Sequence, residues 1–209
     1  MSLVTHSLIK FKEPPALIRG DITAFSKTTP WNLTLGATPT EGALMMVVMG
    51  SDQDRDYTIS GWSHVNYGGL SGNMHVFAKI AGAGESTTVN IGWTTGGNGD
   101  GTAMYYEISG SRSDDPIHTV VPVSSASATT HQYGSHMVPA GVFEIQLNHK
   151  GIGLQTWAIN DGYTIYTATS TRTNSAFKRY GFGGVAVNPT WTYNTAAVAA
   201  MIYIHVFGH

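Results

Sequence analysis

The chain has no cysteine among its 209 residues, which excludes disulfides and thiolate metal sites. Charge is also scarce: 11% of the residues are Asp, Glu, Lys or Arg, and the formal net charge is -2. A typical globular surface draws on about a quarter charged residues. The clustered Lys and Arg needed to bind phosphates are absent, so nucleic acid is not an expected partner. No apolar run approaches the roughly 20 residues of a membrane-crossing helix, so no membrane insertion is expected. The N-terminus lacks the charged start and apolar centre of a secretory signal. Catalytic signatures are missing as well: there is no GxSxG elbow, no P-loop, no HExxH and no dinucleotide fingerprint. The glycine-rich stretch 181–186 lies among strand-like runs rather than opening a helix, so it lacks the phosphate-cradling geometry. No enzymatic activity is expected.

What the sequence does contain is alternation with a period of two. Met74, Val76, Ala78 and Ile80 share one face, with His75, Phe77 and Lys79 on the other. Val89, Ile91 and Trp93 alternate with Thr88, Asn90 and Thr94. Phe143, Ile145 and Leu147 alternate with Val142, Glu144 and Gln146, the latter set expected toward solvent. Two runs, 43–49 and 196–207, are apolar throughout and read as central strands covered on both faces. The second could be a helix by its alanine content, but the aliphatic and aromatic crowding at its end favours a strand. Asn-Gly and Asp-Gly pairs within 96–102 signal a hairpin. The expected fold is all-β, a jelly-roll-like antiparallel sandwich of two sheets. Residues 1–40 would supply an N-terminal strand and an irregular connection, packed on or linking to a single sandwich domain over 41–209.

The sandwich domain carries a weak internal echo at a spacing of about a hundred residues, too long for a solenoid repeat. "EGALMMVVMG" from Glu41 and "YTISGW" from Tyr57 are matched by "AGVFEIQLNH" from Ala140 and "YTIYTA" from Tyr163. Trp93 and Trp191 fall at similar places in the two halves.

Candidate sites are few. Asp52, Asp54 and Asp56 at alternate positions offer part of a calcium-loop ligand set, without the glycine and later glutamate of an EF-hand; calcium is the one cofactor that the residues suggest. Asp114 and Asp115 are adjacent, so on extended chain they point apart and cannot flank one bond. Nine histidines are many for this length. His75 and His205 are expected on outward strand positions, and His131 and His136, five apart, on opposite faces of one strand. Each is read as structural or solvent-facing, although ligands from distant strands could converge. Trp62, Trp93 and Trp191 are expected to fill the core. Trp31 and Trp157, in less regular stretches, are the candidates for stacking on a sugar ring.

The runs "EGALMMVVM", "ISGWSHV", "MHVFAKIAGAGESTTVNIGWTT" and "AMYYEISG", in that order from Glu41, resemble a module of bacteriophage and prophage structural proteins. The resemblance extends over roughly 41–208, although Ala43 replaces the usual Asp of its first strand. It implies a β-sandwich of a virion or extracellular surface, of tail-fibre, tail-appendage or head-decoration type. It implies other virion proteins or further copies of the chain as partners, with a cell-surface glycan as a possible target. It brings no catalytic residue with it. A carbohydrate-binding module, alone or attached to a polysaccharide-degrading enzyme, is the alternative expectation.

Overall fold

The structure is a computed structural model that describes residues 15–25, 30–51, 56–68, 73–93, 101–150, 157–166, 173–181 and 184–208. Among these residues there is no helix, and every strand pairing is antiparallel. The first half holds β1 (Ala16–Phe25), β2 (Trp31–Thr34), β3 (Leu44–Ser51), β4 (Tyr57–Ile59), β5 (Ser63–Gly68), β6 (Asn73–Ile80), β7 (Thr88–Trp93) and β8 (Gly101–Ser109). The second half holds β9 (Ile117–Gln132), β10 (His136–Val138), β11 (Val142–Lys150), β12 (Trp157–Ile159), β13 (Thr164–Ile165), β14 (Thr173–Tyr180), β15 (Val185–Val187) and β16 (Thr190–Phe207).

Each half builds one large sheet in the same strand order. The first runs β1-β8-β3-β6-β5; in the second, β9 pairs with β16 and the order continues through β11 and β14 to β13. Each large sheet carries a smaller layer. In the first half this is β2-β7-β4, so successive strands cross repeatedly between the two sheets. In the second half the corresponding strands are not interrupted. The ends of β9 and β16 pair with each other around Trp191 and His131, and β12 pairs with β16 at Ile159 and Trp191. Register shifts between Thr192 and Ala199 let β16 turn from one layer into the other, the usual role of a bulge at a sheet corner.

The described residues before Glu41 hold two strands. β1 is an edge strand of the first large sheet, paired with β8, and β2 pairs with β7 inside the stretch expected to be irregular. The hairpin expected within 96–102 falls mostly outside the described residues.

The two large sheets face each other across the main core. Leu44, Met46, Val48, Met104, Tyr106 and Ile108 from the first meet Phe143, Ile145, Leu147, Ile202, Ile204 and Val206 from the second. Ladder positions show that the halves repeat one unit. Leu44 stands opposite Ile80 and Ile108; Phe143 stands opposite Arg179 and Val206. The turn before each of these strands carries a glycine at positive φ, Gly42 at 78° and Gly141 at 73°, a conformation glycine adopts without steric cost. The tryptophan correspondence shifts, however. Ile59 lies opposite Ile91, and Ile159 lies opposite Trp191. Trp191 therefore matches Ile91, while Trp93 matches Tyr193.

Gly50 shows how closely the halves approach. A Cβ there would lie 2.4 Å from Thr173 Oγ1 and 2.6 Å from His149 Nδ1. By the ladder, His149 holds in β11 the place that Gly50 holds in β3, so the ring of one half fills the space the other half leaves. Gly50→Ala is expected to destabilise the protein by about 1–3 kcal/mol, the usual cost of overpacking, read as a lowered urea midpoint with an unchanged slope.

Candidate functional site

The two halves differ in what lies between the large sheet and its smaller layer. In the first half that space is mostly apolar: Met45, Val47, Met49, Phe77 and Tyr105 pack against Leu33, Tyr57, Ile59, Val89 and Ile91, with His75 and Glu107 as buried polar neighbours of Met49 and Met45. The positions matching Met45, Val47 and Met49 are Glu144, Gln146 and Asn148, and all three are fully buried. The face expected toward solvent is covered. Alternation correctly groups these residues on one face, but β10 and the Tyr163 turn close over it. The same correction applies to His75 and His205, both expected outward and both buried.

Glu144 is the centre of the buried polar cluster. Its Oε1 accepts hydrogen bonds from Gln146 Nε2 at 2.5 Å and from the Tyr163 hydroxyl at 2.9 Å, and it lies 3.3 Å from His136 Nε2. Its Oε2 faces His205 Nε2 at 3.6 Å, just beyond hydrogen-bond length. Glu144 and His205 are cross-strand neighbours in the β11–β16 ladder; His136 arrives from β10. The His136 ring stacks on Tyr203, with centroids 4.2 Å apart and planes 7° from parallel. Tyr163 and Tyr180 hydroxyls meet at 3.0 Å, and Lys178 Nζ sits over both rings.

Burial pushes the Glu144 carboxyl up, but His136, His205, Gln146 and Tyr163 more than offset this and hold it at about 2. Burial pulls the His136 imidazole down, and the bond and charge of Glu144 outweigh that, raising it. Tyr180 is pushed up to about 12, chiefly by burial, so its hydroxyl keeps its proton. The linkage has a definite sign. The Glu144 contribution is present above its ordinary value of 4.5 and is lost as pH falls toward 2. The His136 contribution is present below 6.5 and is lost as pH rises past the raised value. In chelator-treated protein, the loss on acidification from pH 5 to pH 2 is expected to be about 3 kcal/mol larger than in Glu144→Gln. Parallel urea curves for the two proteins would refute this.

Comparison with family models, curated proteins and solved structures found no match.

The candidates read from the sequence are scattered. Trp31 lies in β2, half-buried against the first half's apolar layer with Trp62 and Trp93, so only part of its ring is open to a ligand. Trp157 opens β12 opposite Tyr193, but its ring lies outside the described residues. Asp52 and Asp54 also lie outside them; Asp56 is exposed just before β4. Asp114 is exposed and pairs with Arg112 at 3.2 Å. His131 and His136 sit on different strands, so the strand-face argument applied to them does not hold.

A second feature lies beside the Glu144 cluster. A groove of about 650 Å³ is lined by Gln132, Asn160, Asp161, Lys178, Asn188 and Thr190, with β15 as its apolar edge. Asn160 Oδ1 accepts the Thr190 backbone N–H at 2.7 Å, and Lys178 Nζ donates to the Asp161 carbonyl at 2.5 Å. Asp161 has φ 64°, the one non-glycine at positive φ among the described residues. Asp tolerates that region, and such backbone concentrates at ligand-binding loops.

Proposed function

We propose that this chain is a non-enzymatic structural and adhesin module of a bacteriophage-type virion, working in several copies and presenting a polar groove to a cell-surface glycan. The observation that carries the adhesin reading is the groove at Asn160, Asp161 and Thr190. Its wall alternates amide, carboxylate, ammonium and hydroxyl groups, the donors and acceptors that fix sugar hydroxyls. Gln132, Lys178 and Thr190 lie on strands and Asn160, Asp161 and Asn188 on short turns between strands, an arrangement that favours a groove shaped before a ligand arrives. The virion setting is supported by the motif resemblance over 41–208 and by the low surface charge. One such groove binds weakly, and copies in a particle multiply the effect through effective concentration.

A glycan array, run with chelator and again with calcium, tests this together with the solution mass. The reading expects binding that Asn160→Ala and Lys178→Ala each weaken at least about tenfold, and a trimer or larger assembly. A monomer that binds no glycan under either condition would remove it. Calcium-dependent binding lost in Asp56→Asn would add the 52–56 segment to the site.

A further inference from the structure

We propose that His136, Glu144 and His205 bind one divalent transition-metal ion of the zinc class. Their donor atoms come from three strands and all lie within 4.8 Å of one another. Ligands 2.0–2.2 Å from a tetrahedral ion stand about 3.3 Å apart. His205 Nε2 already sits 3.6 Å from Glu144 Oε2, while His136 Nε2 sits 3.3 Å from the other oxygen, Oε1, and must turn toward Oε2. Small side-chain shifts would close the set around an ion.

Hydrogen bonding favours a metal over a proton. His136 Nδ1 lies 3.3 Å from the Gly134 carbonyl, which can only accept, so Nδ1 carries the proton. A neutral ring then aims its Nε2 lone pair at a carboxylate, and a positive charge must lie between them. A proton on Nε2 would supply that charge but would leave the rest of the cluster unsatisfied. His205 Nε2 and Glu144 Oε2 are both buried and stand 3.6 Å apart, within ion-pair reach but beyond hydrogen-bond length, so neither has a hydrogen-bond partner. Leaving such groups without a hydrogen bond is costly, because each gave up its water partners on burial. One metal ion satisfies His136 Nε2, His205 Nε2 and Glu144 Oε2 together.

The surroundings resemble an outer shell. The His136 Nδ1–H bond to Gly134 fixes the tautomer that a ligating imidazole needs. Gln146 and Tyr163 occupy Oε1 and orient the carboxylate, leaving Oε2 as the open donor. Two imidazoles and a carboxylate suit zinc or a neighbouring first-row ion and do not suit calcium, which takes oxygen ligands. The His136 side chain is 12% exposed while Glu144 is sealed, so the His136 rim is the side from which an ion would enter. The fold does not require this trio: the first half keeps the same strand order with Met45 in the place of Glu144.

The test uses the full chain, stripped with chelator and titrated with Co²⁺, then with competing Zn²⁺. One equivalent of Co²⁺ should produce visible d–d bands that Zn²⁺ abolishes. His136→Ala and His205→Ala should each remove the bands and weaken Zn²⁺ binding more than about 100-fold. Tyr163→Phe should weaken it about 10–100-fold, the usual effect of losing an outer-shell partner. His136 is at the rim, so its alanine variant is expected to keep the strand circular dichroism, and it decides the matter if His205→Ala fails to fold. A stripped, folded protein that takes up no Co²⁺ or Zn²⁺, or a His136→Ala variant that binds as tightly as the parent, would overturn the proposal. Glycan binding is read separately, so failure of one idea is distinguishable from failure of the other.

Discussion

Expressed separately, residues 1–110 and 111–209 are expected not to fold as monomers. Severing the chain after Gly110 uncovers the face on which Leu44, Met46, Val48, Met74, Val76, Met104, Tyr106 and Ile108 are buried. Each side chain of this kind contributes about 1.5–3 kcal/mol when fully buried. Together they amount to roughly 12–24 kcal/mol, against a net stability of about 5–15 kcal/mol for a whole domain. The cut also separates a polar tie between the halves, the Tyr106 hydroxyl with Ser175 Oγ. Insoluble or self-associating halves that recover a single cooperative transition when co-expressed are the expected result. A monomeric first half with a sharp unfolding transition would show that the main core is an interface between two independent units.

Trp191→Ala is expected to cost about 3–5 kcal/mol, the range for deleting a fully buried large aromatic. Trp191 is completely buried and packs with Tyr193, Met201 and Tyr163 in a cluster apart from the main core. It sits where β16 pairs with both β9 and β12, so its loss loosens the corner at which the strand changes layers. Trp93→Ala should cost clearly less, because Trp93 is half-buried at the rim of the other apolar layer. Urea midpoints for the two variants decide the point. Equal losses would mean that burial does not rank these rings, and that the correspondence of Trp191 with Ile91 has no energetic weight.

The strand-rich architecture was legible because a period of two has one structural meaning. Met74, Val76 and Ala78 do share a face, and that face does enter the main core. The echo between Glu41 and Ala140 proved to be a repeat of strand order as well as of residues. Glu144 and Gln146 show the limit of such reasoning. Alternation says that they lie opposite Phe143 and Ile145, but it does not say what covers them. The signal that could have found the cluster was a comparison of the halves, in which Met45, Val47 and Met49 become Glu144, Gln146 and Asn148. Three polar residues at places where the sister unit is apolar imply either solvent or a buried network.

By itself, the sequence determined which residues alternate, that extended chain dominates, and that one pattern occurs twice, since these depend on neighbours two positions apart. Only the tertiary structure decided that a second layer seals Glu144, that β1 and β2 join sheets with β8 and β7, and that His136 and His205 meet around one carboxylate. Burial and convergence arise where distant strands pack, and no local spacing encodes the element that closes over a face.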